Sequence, residues 1–261
     1  MNPELTSESR LSWSVPAKLA IDLVSAGAAS LLVSPFVTIL DRAIIENATG
    51  KRRLSCALKA ITGDFVRNPF AFVRRREFAL VYGLYAATYV SANTMETMCD
   101  AANVESAMPR FAATSAVNVS LCVYKDREFA RMFSPVGPHK FPLTSLGLFA
   151  MRDAMTVAAT FFTPPEIAAF IESSGYSKST SSQAAQILFP SLVQFASTPL
   201  HLLSLDLYNH PQSMSTKRIA FVRTEYLKTV AGRISRILPA FGFGSVGNKY
   251  FREEMRTAAN L

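Results

Sequence analysis

The chain has 261 residues, 49% of them hydrophobic and 18% charged, and carries a net charge of +8. Its mean hydropathy of +0.20 lies outside the usual soluble range, so a soluble fold has to account for a large excess of apolar surface. Cys56, Cys99 and Cys122 are odd in number and widely spaced, and His139, His201 and His210 have no neighbour at ligand spacing; a disulfide framework, a metal site and a bound cofactor are not expected.

Residues 1–14 read as an N-terminal tail with Glu4 and Glu8 and without a cleavable targeting signal. Apolar stretches follow at 19–40, interrupted by Asp22, and at 78–98, interrupted by Glu96. Each is long enough to cross a bilayer. A shorter uncharged stretch covers 111–124, and 141–171 is long and apolar but carries Arg152, Asp153 and Glu166. Residues 181–205 hold no charge, and 237–251 form a Gly-rich sixth stretch. The small-residue run at 25–30, Gly242 and Gly244 permit close helix contact. Pro164 and Pro165 are expected to end or kink the fourth stretch.

Basic residues alternate with these stretches. Lys51, Arg52, Arg53, Lys59, Arg67, Arg74, Arg75 and Arg76 lie between the first and second, and Lys125, Arg127, Arg131 and Lys140 between the third and fourth. Lys217, Arg218, Arg223, Lys228, Arg233 and Arg236 lie between the fifth and sixth, which places 18 of the 27 basic residues in three alternate segments. Six spans would bring all three segments to one side of a membrane. The positive charge then suits anionic lipid head groups and not nucleic acid, for which no motif is present.

The ends of the odd stretches are related: SPFVTILDR at 34–42, VSLCVYKDR at 119–127 and TPLHLLSLD at 198–206. The chain therefore divides into three helix-pair repeats at 15–103, 104–175 and 176–261. The predicted fold is an all-α membrane protein of six transmembrane helices with a pseudo-threefold arrangement.

Three helix pairs with basic connecting segments resemble the mitochondrial carrier family, solute carrier family 25, over most of the chain. That family places a proline, an acid two residues later and a base three further on at the end of each odd helix. Pro35 and Pro199 match the kink position, but Val37, Leu40, His201 and Ser204 stand where the charges would be. The second repeat has Ser120, Cys122 and Lys125 there, so one gate charge is retained. Arg236 and Pro239 are similar to the family's entry into the sixth helix, and Arg152 and Asp153 to its entry into the fourth.

The resemblance implies that Arg152, Asp153 and Arg236 bind substrate in a central cavity, with Pro35, Pro199 and Pro239 as helix kinks. An ionisable pair inside an apolar stretch is expensive unless paired or facing water; a structural interhelical contact is the alternative. Asp41, Arg42, Lys125, Asp126 and Arg127 could supply a charge network in place of the missing gate, with surface ion pairs as the default. Asp22 and Glu96 are expected to face the bundle interior.

No nucleophile elbow, phosphate loop or metal pair is present, so an enzyme is not expected. The leading expectation is a carrier-like protein moving a small anionic metabolite across a mitochondrial membrane, the inner before the outer. The alternative is a non-transporting structural or adaptor component of such a membrane, associated with other membrane proteins.

Overall fold

The computed structural model describes the backbone of residues 3–133, 140–163 and 165–260, and the side chains of all of these except 3–14, 161, 241 and 242. His139 and Pro164, and the surroundings of Gly242, lie outside the described residues. No strand occurs among them.

Among the described residues, ten α-helices follow in chain order: α1 (Pro3–Ala48), α2 (Leu54–Arg67), α3 (Pro69–Val73), α4 (Arg76–Ala101), α5 (Ala107–Phe133), α6 (Leu143–Phe161), α7 (Pro165–Glu172), α8 (Lys178–Asn209), α9 (Ser215–Pro239) and α10 (Gly247–Ala258). A π-helical stretch, Ala240–Val246, joins α9 to α10 with helical backbone angles at both junctions. The sixth apolar stretch is thus the far half of a helix that begins at Ser215. The basic residues 217–236, read as a connecting segment, lie on α9.

Side-chain distribution on the helices is inverted relative to a soluble protein. On α1, Asp22, Ser25, Ser30, Ser34, Thr38 and Asp41 are buried, whereas Leu23, Val24, Leu31, Leu32 and Phe36 are exposed. On α8, Gln194, Ser197, Thr198, His201 and Asp206 are buried while Leu188, Leu192 and Phe195 face outward. Water would penalise such a surface; a lipid surround favours it, because polar groups then pair inside the bundle and apolar ones meet acyl chains.

Val15–Ala48 and Lys178–Asn209 are long and apolar enough to cross a membrane, and Leu143–Thr160 with Pro165–Glu172 forms a third candidate, bent by 51° at the intervening break. Among the described residues, length and hydropathy alone identify two or three of the six expected spans. The reason is compositional: α4, α5 and α9 give positions to Tyr89, Asn93, Asn118, Lys125 and Arg233, which line a cavity or make polar contacts.

The long helices contact one another in order. α1 packs on α4, α4 on α5, α5 on α6, α6 on α8 and α8 on α9, and α9, the π stretch and α10 return to α1. Small residues make the tight approaches. A Cβ on Gly232 would lie 2.9 Å from Ile44 Cγ1 of α1, and one on Gly244 would lie 2.1 Å from the Tyr89 hydroxyl of α4. Ala26 and Ala29 within the small-residue run are fully buried.

Two of the proline positions sit inside helices without ending them. Pro199 cannot donate to the Phe195 carbonyl one turn back; the Tyr226 hydroxyl of α9 donates to that carbonyl at 2.8 Å. Pro239 closes α9 where the π stretch begins.

Apolar packing is concentrated toward the end of the bundle that carries α2 and α3. Ile39 and Ala43 of α1 meet Ala57, Ile61, Phe72 and Phe78, and Ala48 meets Ala130, Phe149, Leu202, Leu205 and Tyr208. The opposite half holds a cavity.

Candidate functional site

An ion-pair layer crosses the bundle at the inner limit of that cavity. The Lys125 ammonium of α5 donates to Asp41 of α1 and pairs with Asp126 at 2.8 Å. The Arg152 guanidinium of α6 donates to Asp126 of α5 and to the Asp153 carboxylate at 2.6 Å, and a further Nη donates to His201 Nδ1 of α8 at 2.7 Å. Arg236 of α9 completes the layer on Asp41 at 3.0 Å. Five helices are joined by these contacts.

Burial makes the pairing obligatory, because an uncompensated charge inside the bundle costs several kcal/mol, roughly 3–5 when one partner is removed. Asp41, Lys125, Asp126, Arg152 and Asp153 are each at most 5% exposed. The surface setting taken as the default for Asp41, Lys125 and Asp126 is therefore replaced by a buried one. Arg42 and Arg127 point elsewhere: Arg42 pairs with Glu46 and with Glu77 at 2.9 Å, and Arg127 lies 3.8 Å from Glu128, both outside the layer.

Arg233, one turn before Arg236, is also buried and takes no carboxylate. Its guanidinium donates twice to the Gln194 side-chain oxygen, at 2.6 and 3.0 Å, and to Ser197 at 3.2 Å. The layer thus contains one more cation than carboxylate. A recess of about 10 Å³ remains between Asp41, Asp126, Arg152, His201, Arg233 and Arg236, too small for a solute larger than water.

Above the layer lies a cavity of about 220 Å³ between α1, α4, α5, α6 and the α9–α10 run. Arg236 and Asp153 form its inner end with Cys122; Arg110 and Thr160 mark the outer end, near the α4–α5 and α6–α7 connections. α5 contributes Arg110, Thr114, Asn118 and Cys122. The four-residue spacing is what puts them on one helical face. α4 contributes Thr88 and Tyr89 and α6 contributes Thr156. Val37, Leu84, Ala92, Val157, Ile237 and Ala240 add apolar surface, so the wall is an uncharged mixture of polar and apolar groups with Asp153 and Arg236 at its inner end and Arg110 at its outer end.

A second ionic layer holds the outer half of the bundle. Asp22, fully buried on α1, accepts from Arg252 Nε at 2.6 Å and Arg256 at 3.0 Å, both on α10, and from Thr97 of α4 at 2.5 Å. Glu96 of α4 pairs with Arg252 and with Arg110 of α5, each at 3.0 Å. Asn93 and Asn248 exchange hydrogen bonds at 2.9 Å beside them.

The structure brings Asp153 and Arg236 together at the cavity and places Arg152 behind them, in the floor. Arg233, Gln194, His201, Arg110, Arg252 and Arg256 were not singled out as site residues by the sequence. A signal existed for the last two: Asp22 and Glu96, as charges inside apolar stretches, require cationic partners, and an i, i+4 arginine pair is available at 252 and 256.

No curated protein and no solved structure matches the chain. The likeness to the mitochondrial carriers is overturned by the family comparison, which assigns a different family, one of exporters and not of enzymes. Its motifs, Arg152–Asp153 and Arg236–Pro239, are charges paired inside a helix bundle, a need that any polytopic fold shares. The mitochondrial placement rested on that likeness and is withdrawn with it. The model of the family described as probable citrulline exporter matches residues 25–256, a range that takes in every residue lining the cavity, and the chain belongs to that family.

Proposed function

We propose that the protein exports citrulline, or a closely similar neutral amino acid, through the cavity between α1, α4, α5, α6 and α9. The observation that carries this reading is the presence of both Asp153 and Arg236 at one end of a cavity whose remaining lining, apart from Arg110 at the far end, is uncharged. A zwitterionic head group presents an ammonium to Asp153 and a carboxylate to Arg236. A solute with both charges fits better than the simple anion expected from the sequence.

In this reading Arg152 positions Asp153 from the floor and does not itself face the solute. Asp41, Lys125 and Asp126 close the path beyond the cavity. When the solute carboxylate engages Arg236, it competes with Asp41 for a contact that holds α9 to α1 across the floor, and its ammonium competes with Arg152 for Asp153 within α6. Binding therefore weakens the barrier that it must pass, which couples occupancy to exposure of the other side. The ring of helices supports a six-span arrangement in three pairs, with α1, α4, α5, α6, α8 and the α9–α10 run as the spans. A non-transporting scaffold was suggested by missing gate charges; the buried floor layer supplies charges in their place.

Purified protein reconstituted in liposomes and loaded with labelled citrulline tests the proposal. Efflux above that of empty liposomes is expected, with loss in Asp153→Asn. Absence of efflux, together with no thermal stabilisation by citrulline, would overturn it.

A further inference from the structure

The outer end of the α5 stripe carries hydrogen-bonding capacity that the protein leaves open. Among the described residues, Arg110 Nε and Thr114 Oγ1 are buried atoms without a hydrogen-bond partner, and both residues line the cavity. Asn118, the next residue of the stripe, is occupied: its amide donates to Thr88 and its oxygen accepts from Cys122. Thr114 stands two helical turns, about 12 Å along the axis, from Cys122 at the inner end. A buried donor left unpaired costs roughly 1–3 kcal/mol, so such a pair on a cavity wall marks where a ligand supplies the missing partner.

The ion pairs that face this end of the cavity are rich in arginine. Arg110, Arg252 and Arg256 share two carboxylates, Glu96 and Asp22. Asp100 and Glu105, near the α4–α5 connection, offset the overall charge, so opposition to a second cation comes from Arg110, the arginine of the three that lines the cavity.

We propose that Arg110 and Thr114 form the specificity site for the solute side chain, accepting a neutral planar ureido or amide group and rejecting a cationic one. Arg110 Nε donates to the side-chain carbonyl, and Thr114 Oγ1 accepts from its N–H. Free arginine is the discriminating comparison, since it matches citrulline in length and shape but replaces the carbonyl with a charged guanidinium. It offers Arg110 no acceptor and meets like charge. This assignment rests on the transport reading above and adds the residues that choose among amino acids.

The test is counterflow of labelled citrulline into liposomes holding wild type or variants, with unlabelled citrulline or arginine as competitor. In wild type, arginine competes at least about ten-fold less well than citrulline, the scale set by an unmatched polar group in a built site. Arg110→Gln brings the two within about threefold, whereas Arg110→Lys, which keeps the charge, still excludes arginine. Thr114→Val weakens citrulline about ten-fold and does not admit arginine. Unchanged citrulline-to-arginine ratios in Arg110→Gln and unchanged citrulline competition in Thr114→Val, with transport intact, overturn the assignment while leaving the transport reading standing. A wild type that moves no citrulline overturns the transport reading itself, and the assignment with it.

Discussion

Arg236 on α9 reaches Asp41 on α1 at 3.0 Å across 195 positions of sequence. Asp41 also accepts from Lys125 of α5, so one carboxylate ties the first, middle and last thirds of the chain together at the floor of the cavity. An aspartate inside an apolar helix is retained here because two cations converge on it.

Asp41→Asn should be among the most damaging single changes in the protein. It leaves Lys125 and Arg236 buried with one fewer counter-charge, and a loss of about 3 kcal/mol is expected. Unfolding of the purified variant in detergent checks this. A change under about 1 kcal/mol would mean that the layer contributes little to stability.

The outer layer is open to a double-mutant cycle. Asp22→Asn and Arg252→Gln remove opposite ends of one buried pair 2.6 Å apart. Their coupling should exceed about 1 kcal/mol, as expected for groups in direct contact. Strictly additive effects would show that Arg256 or Glu96 takes over when either is lost.

Gly244→Ala tests the approach of the π stretch to α4. The added Cβ would meet the Tyr89 hydroxyl at 2.1 Å and Cζ at 3.1 Å, and that hydroxyl donates to the Ala240 carbonyl at 3.0 Å. Moving the ring sacrifices the hydrogen bond, so destabilisation of about 1–3 kcal/mol is expected. Tyr89→Phe in the same chain should recover part of it by removing the nearest atom.

Cys122 offers a chemical probe of the cavity. Cys56 is exposed on α2, and Cys99 and Cys122 are both buried, but Cys122 lines the inner end of the cavity with Asp153 and Arg236. In a chain carrying Cys56→Ser and Cys99→Ser, a small thiol reagent should label Cys122 slowly, because a buried thiol offers little thiolate, and saturating citrulline should slow labelling about ten-fold further by mass action. Labelling at the same rate with and without citrulline would place the solute elsewhere.

Membrane residence has its own simple test. The inverted polarity of α1 and α8 predicts that the protein stays in the pellet after alkaline carbonate extraction. Recovery in the supernatant would contradict a lipid-facing surface.

The helical character and the apolar α1 and α8 were legible in the sequence because long runs of apolar residues report burial or lipid contact whatever the tertiary arrangement. Asp22, Glu96, Arg152 and Asp153 stood out for the same reason: charges interrupt such runs. What the sequence did not reveal was the pairing. Asp41 finds Arg236 and Asp22 finds Arg252 over distances of roughly two hundred positions, and no local pattern encodes that match. The same blindness produced the carrier likeness, since alternating helices and basic segments describe a topology without fixing which charges meet. Arg233 did not stand out because it lies in a run of basic residues, while Gln194 and Ser197, which receive it, lie on another helix.

The π stretch between α9 and α10 acts as a phase adjuster. Arg236 and Arg252 are sixteen positions apart, and in an unbroken α-helix the advance of about 100° per residue would leave them roughly 160° apart around the axis. One would then face the bundle and the other the lipid. The wider π turns advance less per residue and take back much of that angle, so a single helix presents Arg236 to Asp41 at the floor and Arg252 to Asp22 near the mouth. Deleting one residue from Ala240–Val246 would let the run relax to an α-helix of about fifteen steps with the two arginines roughly 60° apart. The π stretch thus acts as one residue inserted into a helix that already aligns both layers; straightening it at full length is what would rotate them out of step.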